Sequence, residues 1–176
     1  MTFSLYDATV PVFLQSLHAT HGWLAKVADV VASDENLSEA ELIEAKLSAD
    51  MFPLNRQLRA CAMHSQGALE GCFKGVFSPD LSPHPETFVG LRERIAEAIA
   101  YLEALDRNAV EGLLDKPMRF EFRDTRWPFL AQDFLTGFSL PNFFFHTTTG
   151  YAILRHHGLP LGKRDYLGAL PMQPEA

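Results

Sequence analysis

The chain has only two cysteines, no run of basic residues and no apolar stretch long enough to cross a bilayer, and each scarcity excludes a class of protein. Cys61 and Cys72 lie eleven positions apart on what the apolar pattern predicts to be one helix. At 1.5 Å per residue that is about 16 Å, beyond the reach of a disulfide. Free thiols follow, and with them a reducing compartment. The 15 lysines and arginines against 22 aspartates and glutamates leave a net charge of −7, so the electrostatic footprint of a nucleic-acid binder is missing. No segment reaches the roughly 18 apolar residues that a membrane span needs. The opening MTFSLYDATVPVFLQSL also lacks a basic segment ahead of its apolar residues, which argues against a secretory signal. No Gly-rich phosphate loop, nucleophile elbow or HExxH pair occurs. The expectation is a cytoplasmic protein that engages neither nucleic acid nor membrane.

What the chain does contain is helical periodicity. With 176 residues and 47% hydrophobic content it can bury one sizeable core, and a single domain over 1–176 is expected. Phe13, Leu14, Leu17, Leu24, Val27 and Val31 recur at three- and four-residue intervals and predict a helix over about 5–32. Ser38 followed by Glu41 has capping-box spacing and starts a short helix at about 39–47. Asp50, then Pro53 in a first turn, opens a long helix at 51–74, and Phe88 to Leu105 supplies the stripe of another over 85–107. Three prolines within Ser78–Pro85 make the segment between them a loop. Met118–Arg123 alternates, Asp124-Thr125 can turn and Arg126–Leu130 can return, so a β-hairpin is expected there. The last helix, 139–158, is given Ser139 as N-cap, Pro141 in its first turn and Gly158 at its C-terminus. The tail is read as ordered coil. The economical assembly is an all-α antiparallel four-helix bundle, with a short extra helix and a small hairpin before the last helix.

The DMFPL opening of the second long helix (Asp50 to Leu54), and NFFFHTTTGYAILRHHG followed by GKRDYLG, resemble a domain-of-unknown-function family within the DinB/YfiT-like superfamily. The resemblance covers almost the whole chain. It implies a DinB-like bundle, commonly dimeric, in a superfamily whose better-known members hold a divalent metal, zinc or nickel, through three histidines. Two of those stand four apart on the last helix and one comes from the second. Here His146 matches one of them in kind, but Gly150 and Asn142 stand four residues either side of it. Neither is a competent ligand for such an ion.

Asn142 and His146, one turn apart in an apolar segment, are the leading site candidates. Gln57, Cys61 and His64 share one face of the second long helix, and if that face meets Asn142, His146 and Thr149 a polar cluster forms at mid-core. Two readings stay open. In the first, Gln57, Asn142, His146 and Tyr151 line an inter-helix pocket for a small molecule, no cofactor is expected, and Gly150 leaves a gap beside the imidazole. In the second, Cys61, His64 and His146 bind a divalent metal and the protein is a hydrolase or thiol transferase of the DinB-like kind. An interaction or purely structural role, with Cys61 as a small core residue and His146 as a packed staple, competes with both. His18 and His21 read as structural, as do His156 and His157 in the last turn of a helix, and Lys163, Arg164 and Asp165 as a self-satisfied cluster. Fourteen phenylalanines, including the Phe143–Phe145 run, exceed what one bundle readily buries and suggest a homodimer through aromatic faces.

Overall fold

The structure, a computed structural model, describes residues 4–173. It is mainly helical with a small three-stranded sheet. Helix α1 (Leu5–Ser33) is started by Ser4, whose Oγ accepts the Asp7 amide N–H at 3.1 Å, and it buries Leu5, Val10, Phe13, Leu17, Leu24 and Val27. Helix α2 (Glu39–Ile43) begins as its Ser38 cap predicts, but ends four residues earlier than the expected 47.

The second long helix starts at α3 (Leu54–Ala62), three residues later than the sequence suggests. Pro53 is the residue before the first turn, in extended conformation, and Asp50 accepts from Ser48 Oγ instead of capping. The helix then continues through a π-helical turn (Met63–Gly67) into α4 (Ala68–Lys74) and stops at Gly75 in the left-handed region. Strand β1 (Val76–Phe77) follows directly. The Pro-rich loop leads to α5 (Phe88–Glu103), shorter than the expected 85–107, whose Thr87 Oγ1 accepts from the Gly90 amide, and then to a short α6 (Arg107–Glu111) that the sequence reading did not anticipate.

The hairpin is present as β2 (Pro117–Phe122) and β3 (Thr125–Leu130), paired antiparallel, with Met118 and Phe120 buried on one face. It is not alone: β1 pairs parallel with β2, Phe77 opposite Phe120, so a third strand joins the sheet. A two-residue strand carries too little pattern to be read from sequence.

The last long helix corrects the sequence reading most. It begins at α7 (Ala131–Asp133), runs through a second π-helical turn (Phe134–Ser139) and continues as α8 (Leu140–His156). Ser139 is therefore inside the helix, at φ −70° and ψ −45°, and its buried Oγ caps nothing. Pro141 follows this wider π-helical turn, where the regular i→i−4 pattern is already interrupted. The C-terminus matches expectation: Gly158 has φ +81°, its N–H bonds Arg155 O and that of Leu159 bonds Leu154 O, both at 3.1 Å, a Schellman ending. The tail is not plain coil, since α9 (Lys163–Leu167) packs against α1 and its Asp165 pairs with Lys26.

α1 lies along α5, and α3 packs against both α5 and α8. The α3–α8 crossing is close because Gly150 has no side chain; a Cβ there would come 2.7 Å from Leu58 Cδ2. The gap that the sequence suggested beside Gly150 is thus already filled by Leu58, which is fully buried.

Candidate functional site

Each π-helical turn adjoins one half of the site. His64 sits in the first, and Phe138 lies in the second, one turn before Asn142 and two before His146 on α8. An extra residue in a turn rotates the following side chains relative to a regular helix, and such turns recur at functional sites. Here the two turns bring His64 and His146 together, rings 5.7 Å apart and within 15° of parallel.

His146 is held from behind. Gln57 Nε2 donates to Phe52 O at 3.1 Å, which turns Oε1 toward His146 Nδ1 at 2.7 Å. An amide oxygen only accepts, so the imidazole donates from Nδ1 and keeps its lone pair on Nε2. Burial holds the His146 imidazole down at about 4. Burial, with His146 alongside, pushes His64 down to about 3. Both are neutral at physiological pH. His64 Nδ1 is buried without a partner, and an orphaned polar atom of this kind is a cost that a bound group can relieve.

The two rings belong to a longer column. The Arg56 guanidinium lies 3.8 Å from the centre of the Phe52 ring, Phe52 is parallel to His146 within 3° at 6.4 Å, and His64 stacks in turn on Phe77 at 5.8 Å. Beside this column opens a cavity of about 410 Å³, the size of a small-ligand pocket. His64, Asn142 and His146 form its polar wall, and Phe52, Met63, Phe120, Phe122 and Phe138 its apolar one. The remaining side is the Pro-rich loop, through Pro79, Asp80, Leu81 and His84. Arg59 ties that loop to α3: Nη1 donates to His84 Nδ1 at 3.0 Å, while Nη2 donates to Asp80 O at 3.0 Å and Ser82 Oγ at 2.9 Å and pairs with Asp80 Oδ2 at 2.5 Å. Burial, then the neighbouring Arg59 and Arg56, keep His84 below its ordinary pKa, as its acceptor role toward Arg59 requires. Amide and guanidinium bonds hold Asp80 down to about 2.

Of the residues singled out in the sequence, Asn142 and His146 line the cavity, and Gln57 reaches it only through His146. Asn142 Nδ2 donates to Phe138 O at 2.8 Å, leaving its carbonyl oxygen unengaged by that bond. Tyr151 is elsewhere, its ring 5.4 Å from that of Tyr166 on α9. Cys61 is fully buried, its thiol donates to Gln57 O at 3.4 Å, and burial raises its pKa far above the ordinary thiol value. Thr149 bonds Phe145 O in its own helix. His18 contacts Glu103 at 3.2 Å on the surface, a partner the sequence did not reveal. Arg56, Arg59, Asp80 and His84 were not legible as site residues. The only available signal was a histidine in a proline-rich loop.

The family model described as "Domain of unknown function (DUF1993)" matches residues 5–167. The chain belongs to the DUF1993 family. A crystal structure of a DinB family member protein from Shewanella denitrificans superposes with a TM-score of 0.80 at 28% identity, covering 97% of this chain and 96% of that one. The DinB-like reading of the sequence is thereby shown. No curated protein matches the sequence. The triple-histidine metal site that the superfamily resemblance implies does not fit this DUF1993 chain. His64 and His146 supply two imidazoles, Cys61 faces its own helix, and α8 offers Asn142 and Gly150 where a further imidazole is needed. Among the described residues no group of three or more His, Cys, Asp or Glu side chains is arranged to hold a metal ion.

Proposed function

We propose that this protein binds a small organic molecule in the cavity between α3, α8, the hairpin and the Pro-rich loop, without a resident metal. The four long helical tracts are read as an antiparallel bundle that carries this pocket. The observation behind the reading is the pairing of His146 with Gln57. A buried imidazole whose orientation and tautomer are set by a second residue, and whose free Nε2 adjoins a cavity, is prepared to contact a ligand. A packing staple needs the hydrogen bond but not the cavity. The lining combines an apolar wall with a few convergent polar groups, the usual composition of a ligand pocket.

The test is a thermal-shift screen of a metabolite collection against the native protein and Asn142→Trp, whose indole would fill the cavity. Compounds that raise the melting temperature of the first and not of the second support the reading. A collection that stabilises both equally, or neither, counts against it. Metal content is checked on protein purified without an affinity tag. Less than about 0.1 zinc, nickel or iron per chain is expected, because two ligands seldom retain an ion through purification. Stoichiometric metal lost on His146→Ala would restore the metal-dependent enzyme reading.

A further inference from the structure

The charges around the cavity do not cancel. Asp80 is neutralised by Arg59, and the three imidazoles of His64, His84 and His146 are all held toward their neutral forms. Glu44, whose field reaches His84, accepts the Asn55 amide at 2.8 Å. Arg56 alone of the lining cations has no carboxylate within ion-pair distance among the described residues, and its guanidinium is fixed over the face of Phe52 at 3.8 Å. A cation placed in this way at the rim of an aromatic wall, in a protein of net charge −7, marks a preference for negative charge at one end of the occupant.

Resting on the small-molecule reading above, we propose that the occupant is an organic anion with a planar apolar body, its carboxylate, sulfonate or phosphate group seated on Arg56 and its body against Phe52, His146 and His64. The guanidinium fork presents two parallel N–H donors to such a group. The aromatic rings that line the cavity, Phe52, Phe120, Phe122 and Phe138, offer a planar body broad apolar contact. The Nε2 of His146 can bond a polar atom on the inner end of the ligand.

The experiment is isothermal titration at pH 7.5 with 2-naphthoate and its neutral isostere 2-naphthamide, using the native protein, Arg56→Gln, Arg56→Lys and Asn142→Trp. Naphthoate is expected to bind the native protein at least about tenfold more tightly than the amide. Arg56→Gln should remove that preference, Arg56→Lys should keep part of it, and Asn142→Trp should bind neither. Equal affinity for the two probes, or a preference that survives Arg56→Gln, overturns the anion assignment while the pocket reading stands. Failure of both probes to bind the native protein at millimolar concentration, or undiminished binding to Asn142→Trp, overturns the pocket reading and this inference together. Arg56 is solvent-exposed, so its variants are expected to fold.

Discussion

Gln57 and His64 show how differently two buried polar residues can stand beside one imidazole. Gln57 satisfies His146 and is itself tied to Phe52 O, so His146→Ala strands its Oε1 and is expected to cost about 1–3 kcal/mol in chemical denaturation. His64 is stacked among Phe77, Phe138 and His146 with Nδ1 unpartnered, and its environment resists protonation. Because the folded pKa of His64, about 3, and of His146, about 4, lie below the ordinary 6.5, the unfolded chain binds more protons as pH falls below about 6.5. Stability is then lost toward acid, by up to about 1.4 kcal/mol per pH unit for each histidine. His21 and His84 are shifted in the same sense, whereas Asp80, held at about 2, acts only in stronger acid. The decisive variant is His64→Leu. It removes the orphaned nitrogen and one titration, so the urea midpoint should be unchanged or higher at pH 7.5 and should fall less steeply between pH 7 and 5. An unaltered slope would show that His64 is not kept neutral by the fold. His146 and Asn142 stood out in the sequence as polar residues in an apolar helix. Tyr151 drew attention in the same way yet belongs to the α8–α9 contact, because sequence spacing places a residue on a helix face without saying which neighbour that face meets.

At the scale of elements, the long helices were legible and the breaks within them were not. Apolar periodicity locates α1, α3, α5 and α8, but a π-helical turn shifts the register by a single residue and leaves no mark in composition. That is why Ser139, followed by Pro141, looks like a start signal although it lies inside a longer helix. Gly150 is the corresponding error of interpretation: a glycine beside a site looks like room for a ligand, yet it is where α8 meets Leu58 of α3. Gly150→Leu is therefore expected to lower stability by about 1–3 kcal/mol or more through overpacking, measured by thermal or urea unfolding. A fully stable variant would mean that the two helices can separate. The Pro-rich loop is an element of the opposite kind, with no regular structure of its own and its position set by one side chain. Arg59→Met removes every bond from Arg59 to Asp80, Ser82 and His84. Amide hydrogen exchange over residues 78–87 should accelerate at least about tenfold in that variant, with α1 and α5 unaffected, and uniform exchange across the chain would refute a local tether.

Over the whole molecule, the DinB-like architecture followed from the order of elements and the helix-terminal motifs, and no helix among the described residues is long and apolar enough to cross a membrane. Self-association is the proposal that remains at this scale. The abundance of phenylalanine is a weaker argument than the raw count suggests, since most of the fourteen pack into the core or against it, and among the described residues those most exposed are Phe52, Phe73 and Phe145. Two of these matter together: Phe52 and Phe145 both lie next to the His146 ring, with centroid separations of 6.4 and 5.3 Å. Phe145 is 55% exposed although it is the last of three aromatic residues on a well-packed helix. A second copy of the chain placed on this face would cover both rings, and a stable contact would need to bury about 1,000 Å² or more in total. A symmetric dimer is accordingly expected by multi-angle light scattering at micromolar concentration. Phe145→Ser should shift it to monomer without altering the circular dichroism spectrum, because the ring it removes contributes mainly to the outer surface. The −7 charge of each copy opposes association, so the dimer fraction should also rise with salt. A monomeric mass across that range, in the native protein, would remove the dimer and leave Phe145 as an exposed ring packed edge-on against His146.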